Sequence, residues 1–122
     1  MDLSYAWERL YSAIRSSIQS DQPLQQRLLD CYLELHTLDY ENYLPRHLQQ
    51  RFTQMMKAWA REPDPTGQQW AVRSTVHRMT DEEARKWLDE ILKLFAEVAA
   101  RRAVAEAADP LRQKQLSARK NH

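Results

Sequence analysis

The sequence contains a single glycine, Gly67, in 122 residues. Glycine supplies the positive φ angles of tight hairpins, of phosphate-binding loops and of strained nucleophile turns. Its near absence argues against most nucleotide-binding and hydrolase folds and favours an all-helical chain.

Cysteine and long apolar runs are scarce as well. The single cysteine, Cys31, excludes an intramolecular disulfide and indicates a reducing compartment. It lies on an apolar helical stripe, so we interpret it as a buried, unreactive thiol. No apolar run approaches the roughly 20 residues that span a bilayer, and the first residues lack the pattern of a signal peptide. We therefore expect a cytoplasmic protein that has no membrane partner.

The spacings typical of metal and nucleophile chemistry are missing too. Helical di-iron and zinc sites use Glu-x-x-His, His-x-x-x-His or Cys-x-x-Cys spacings, and none of these occurs in the sequence. No turn marks a serine or histidine as an activated nucleophile. We expect no catalytic residues, no metal and no cofactor.

The clearest element that is present runs from Thr80 to Ala108. Thr80, followed three residues later by Glu83, forms a capping box in which each side chain satisfies a backbone amide. Beyond this cap, apolar residues recur at helical spacing: Ala84, Leu88, Ile91, Phe95 and Val98. No proline or glycine interrupts the pattern before Pro110. The sequence predicts a helix over residues 81–108 that is roughly 40 Å long.

Four shorter helices of about 12–17 residues are predicted before it from the same periodicity. They cover approximately residues 2–18, 24–38, 45–60 and 68–79. Ser20 or Asp21 is expected to cap the second helix, Leu44-Pro45 separates the second from the third, and residues 62–67 form a loop. We predict an all-α fold, a small bundle of about five helices with a long C-terminal helix. Residues 1–109 form the bundle domain, and residues 110–122 form a basic, mobile tail.

The long helix should overhang the bundle, because a helix of 16 residues covers only roughly 24 Å. Its last third is rich in small residues, which permit close helix approach. One interpretation is an exposed helix whose alanines reflect helix propensity; the other is a docking surface. On the second, the chain is a non-enzymatic interaction or accessory subunit that contacts a protein partner or forms a homo-oligomer. The expected contact residues are Ala96, Ala99, Ala100, Ala103, Val104 and Ala107.

Charge distribution supplies an alternative function. Residues 1–100 carry twelve Lys and Arg against fifteen acidic residues, whereas residues 101–122 carry six against two. These six cations are able to contact the phosphates of a nucleic acid non-specifically, or they form a solvated end. They are Arg101, Arg102, Arg112, Lys114, Arg119 and Lys120. Sequence-specific reading by the start of the long helix is disfavoured, because Asp81, Glu82 and Glu83 would repel phosphate.

A third, weaker alternative is a helical ribonuclease of the HEPN-like kind. Such enzymes have an arginine and a histidine on one helix, and Arg73 and His77 are the nearest approach here. Only three residues separate the two, a shorter interval than the family pattern has. We therefore assign no activity to this pair.

Overall fold

The computed structural model describes residues 2–63 and 71–108. Within these ranges the chain is helical and contains no strand. The six helices of the described residues are α1 (Ser4–Gln19), α2 (Leu24–Leu35), α3 (Tyr40–Tyr43), α4 (Arg46–Trp59), α5 (Ala71–His77) and α6 (Asp81–Ala108). This architecture confirms the predicted all-α bundle with a long C-terminal helix. The expected tail, residues 110–122, and the expected start of the fourth helix at Gln68 lie outside the described residues.

The segment before Pro45, which we predicted to be a connection, forms the single helical turn α3. The amides of Tyr43 and Leu44 donate hydrogen bonds of 3.0 Å to the carbonyls of Asp39 and Tyr40. Leu44 then becomes extended, since the proline that follows disfavours helical backbone before it. The predicted interruption of the helix at Leu44-Pro45 is therefore confirmed, and α4 begins at the residue after Pro45.

The predicted cap of α2 is wrong. Its N-cap position is Pro23, which has no side-chain capping bond. The Ser20 hydroxyl accepts a hydrogen bond of 3.1 Å from the amide of Gln22, so it stabilises the link between the helices. Ser20 and Asp21 lie too far before the N-cap to reach the free amides of the first turn.

The start of α6 carries the threonine half of the predicted capping box, whereas the Glu83 carboxylate pairs with Arg61 and does not return to the Thr80 amide. Thr80 Oγ1 accepts a hydrogen bond of 3.1 Å from the amide of Glu83. The carboxylate of Glu83 extends to the guanidinium of Arg61, at 2.7 Å. On the other side, Gln25 Nε2 donates to the carboxylate of Asp81 at 2.9 Å. These contacts fix the beginning of the longest helix to two other parts of the bundle.

Helix α1 lies antiparallel to α6. The Trp7 ring lies beneath the Arg102 guanidinium, 4.7 Å from the ring centre, and Tyr11, one turn later, packs on Phe95 at 6.3 Å. The beginning of α1 thus meets the later part of α6. The Trp7 and Tyr11 rings are stacked on one another, with centres 5.0 Å apart.

The core contains most of the apolar positions that helical spacing predicts. The same spacing puts Ile18 on the buried face of the first helix and Leu92 beside that of the long helix, and both predictions are wrong. The buried residues of α6 are Ala84, Ile91, Leu94 and Val98, and those of α1 and the residue before it are Leu3, Ala6, Leu10 and Ala13. Ile18 is 75% exposed, because the buried face of α1 follows its two alanines and leaves the last turn outside. Leu92 is 49% exposed, since it lies on the outer edge of the predicted stripe.

The cap of α6 generates a stability prediction. We expect Thr80→Ala to lower the free energy of unfolding by about 1 kcal/mol, because the Glu83 amide loses its acceptor. Thr80→Ser keeps the hydroxyl and is the matched control. Urea denaturation of the three proteins measures the difference. Equal stability of Thr80→Ala and Thr80→Ser would contradict the assignment of the cap.

Candidate interaction surface

The last part of α6 continues beyond the helices that cover its first part. Val98 is the last buried residue of the helix, and most of residues 99–108 are exposed. At 1.5 Å per residue, α6 spans about 42 Å, compared with about 24 Å for α1 and about 21 Å for α4. Helix α4 does not reach the end of α6, and α1 meets this end on one side only, where Trp7 lies against Arg102.

Ion pairs join α6 to α4 and to the residues that follow α4. Three carboxylates of α6 take part, at intervals of seven residues: Glu83, Glu90 and Glu97. The Arg51 guanidinium lies 2.9 Å from Glu90 and 3.0 Å from Glu97, and Arg61 lies 2.7 Å from Glu83. Seven residues are two helical turns, so these carboxylates lie on one face. Because these ion pairs are partly exposed, each contributes little to the free energy of unfolding. Their main effect is to fix the register of α4 along α6.

A groove lies directly beyond the start of α4, along the exposed end of α6. Its volume is about 660 Å³, and its described lining residues are Leu3, Pro45, Ala100, Arg101, Val104, Ala105 and Ala108. All but Arg101 are apolar. Val104 lies seven residues after Glu97 and is 69% exposed. The face of α6 that lies opposite α4 is therefore acidic alongside α4 and becomes apolar beyond the first residue of α4.

The residues that we predicted as partner-binding belong only in part to the groove. Ala100 and Val104 line it. Ala96, Ala103 and Ala107 are exposed but are not among its described lining residues, and Ala99 is half-buried. Sequence reasoning missed the remaining lining residues, because alanine content alone does not distinguish the sides of a helix. The interval of seven from Glu83 to Val104 is the sequence signal that indicates the groove.

The six cations proposed for nucleic-acid binding are only partly described. Arg112, Lys114, Arg119 and Lys120 lie outside the described residues. Arg101 is exposed and lines the groove. Arg102 is half-buried: its guanidinium lies over the Trp7 ring, and its Nε is 3.4 Å from Glu106, an ion pair without hydrogen-bond geometry. A cation–π contact and an ion pair both hold Arg102 against the protein.

Cys31 is fully buried, as the sequence predicts. Its Sγ donates a hydrogen bond of 3.4 Å to the carbonyl of Ala13 in α1. Burial, with smaller effects of the nearby charges of Asp30 and Glu34, raises the pKa of the thiol to about 12. A thiol that is neutral and enclosed is a poor nucleophile and a poor metal ligand.

The histidines and the arginine that could take part in catalysis or metal binding do not all lie together. His36 stacks on Tyr32, with ring centres 5.0 Å apart, and its Nδ1 lies 3.1 Å from two backbone carbonyls. Arg73 and His77 are both exposed on α5. In residues 2–63 and 71–108, no group of three or more His, Cys, Asp or Glu side chains is arranged to hold a metal ion.

Comparison of the chain with protein-family models, with curated protein sequences and with solved structures returned no match. The argument for function therefore depends on the chemistry of the surface itself. Among the described helices, none combines the length and the apolar character needed to cross a bilayer.

Burial of Cys31 generates a prediction about pH. We expect the free energy of unfolding to fall as the pH rises from 9 towards 12, because the unfolded thiol ionises while the folded thiol stays neutral. Below pH 9 the thiol is neutral in both states, so its contribution to stability is complete. Within the window, this group lowers stability by about 1.4 kcal/mol per pH unit.

Urea denaturation of the protein and of Cys31→Ala over this pH range measures the effect. Tyrosines and lysines titrate in both proteins, so the difference between the two curves isolates the thiol. Parallel curves for the two proteins would contradict the assignment.

Proposed function

We propose that this chain is a non-enzymatic interaction or accessory protein, which contacts a second copy or another protein through the C-terminal part of α6. The observation that supports it best is Val104, which is 69% exposed in an apolar groove. Apolar grooves on helical proteins receive the apolar face of a partner segment in one common mode of protein recognition.

Helix propensity alone explains the groove less well than binding does. Alanine is the best helix former, so the alanines of this segment are consistent with a helix that has no partner. Valine is different: its branched side chain lowers helix propensity, and here it exposes apolar surface to water. Leu3, which is largely buried, and Pro45 line the groove from two distant parts of the chain. A groove that three separate segments of the chain build together favours a role in binding another protein.

Binding of nucleic acid through the basic C-terminal residues has less support. Two of the six proposed cations lie in the described residues, and one of these, Arg102, packs on Trp7 and pairs with Glu106. The groove residues other than Arg101 offer no charge to a phosphate backbone. A gel shift at low salt that disappears at high salt would support this alternative.

The proposal predicts different outcomes for two exposed apolar residues. Val104 is 69% exposed and Leu33, on α2, is 64% exposed, so neither Val104→Gln nor Leu33→Gln should destabilise the fold. We expect Val104→Gln to weaken association about tenfold, because a buried apolar contact is lost, whereas Leu33→Gln should bind like the unmodified protein.

Light scattering of the purified protein measures self-association, and co-purification from cells that naturally make it measures binding to another protein. Loss of association in Val104→Gln alone is the expected result. A monomer that retains no partner, or equal behaviour of the two variants, would contradict the proposal.

A further inference from the structure

We infer that the groove binds an amphipathic helix of another protein, seated end to end with α4 and carrying a carboxylate opposite Arg101. This inference rests on the proposed function and specifies the partner. Three observations carry it: the continuity of the α4–α6 interface, the apolar lining of the groove and the charge of Arg101 within it.

The groove continues an interface that the protein already has. Helix α4 packs antiparallel to α6, as the pairing of His47 with Glu97 and of Arg51 with Glu90 defines. It begins at Arg46, and the groove starts at the residue before, Pro45. A second helix, placed where α4 would run if it were longer, covers this groove.

The size of the exposed surface suits a short helix. Residues 99–108 span about 15 Å, so a partner helix of about ten residues covers them. Binding of this kind uses side chains at positions i, i+3, i+4 and i+7 of an amphipathic helix. Val104, Ala105 and Ala108 offer small apolar surfaces, and small side chains allow such a helix to approach closely.

Charge defines which helix fits. Opposite α4 the carboxylates of α6 meet arginines, whereas in the groove the charged residue of α6 is Arg101. Among the described residues, Arg101 has no ion-pair partner. A helix that occupies the groove therefore gains most from an aspartate or glutamate beside Arg101, the reverse of the charge arrangement along α4.

The same charge disfavours a second copy of this chain. In a two-fold symmetric dimer the same surface of both copies meets. Arg101 of each copy would then lie in the shared contact, and no carboxylate among the described lining residues of the groove offsets the two charges. Juxtaposition of like charges opposes association, which leaves an acidic helix of a different protein as the fitting occupant.

Photocrosslinking tests the identity of the occupant. Val104 is replaced by p-benzoylphenylalanine, and the full chain is expressed in cells that naturally make the protein. Leu33, replaced in the same way, is the control. Mass spectrometry identifies the crosslinked peptide. We expect the label at position 104, and not the label at position 33, to capture an amphipathic helical segment of another protein that carries Asp or Glu.

Charge variants in the labelled protein test the role of Arg101. We expect Arg101→Glu to lower the crosslinked yield about tenfold or more, because it sets two like charges against each other. Arg101→Lys should keep most of the yield, and Arg85→Glu, on an exposed arginine of the same helix, should leave it unchanged. Equal losses for Arg101→Glu and Arg85→Glu would overturn the assigned contact.

The remaining outcomes separate this inference from the proposed function. Capture of a second copy of this chain, or of a segment that is basic or not helical, overturns the inference and leaves an interaction protein. No crosslink from position 104, or a crosslink to nucleic acid alone, overturns both.

Discussion

A helix can be buried only over the length that its neighbours cover, and this constraint determines the organisation of the protein. Helix α6 has 28 residues, whereas the longest helix beside it has 16. Its first part, up to Val98, supplies one wall of the core. The remaining turns of α6 lie outside the core. Packing therefore explains the first part of α6 and leaves the side chains of the last part to be explained by something else.

The face of α6 that meets α4 changes its chemistry along the helix, and the ion pairs with α4 show where the change occurs. Where α4 is present, the adjacent face of α6 has glutamates that match its arginines. Where α4 is absent, the same face has Val104 and Arg101. A helix end that only has to remain in water would be expected to stay polar on this face. Val104 occupies the position where the seven-residue series of glutamates would continue. Its presence there therefore says more about the function of this surface than the alanine content of the segment does.

Sequence reasoning was accurate where the determining contacts are local. The Thr80 cap and the break at Leu44-Pro45 depend on residues within a few positions of each other, so they could be recognised directly. The groove could not, because Leu3 and Pro45 reach α6 only through the antiparallel packing of α1 and α4. Arg102 shows the same limit: its basic side chain indicated a phosphate contact, yet the fold places it over Trp7. The cap expected at Ser20 failed because the backbone at Pro23 begins the helix several residues later.

The contact of Trp7 with Phe95 and Arg102 also constrains how the chain can fold during synthesis. Helix α1 is made first, and α2 can pair with it soon afterwards, since the two are adjacent in sequence. The other side of α1, with its aromatic rings, has to wait until almost the whole of α6 has left the ribosome. Helix α1 therefore presents apolar surface until α6 has been made, and such surface is prone to aggregation during synthesis. The described bundle is completed only when α6 closes on α1.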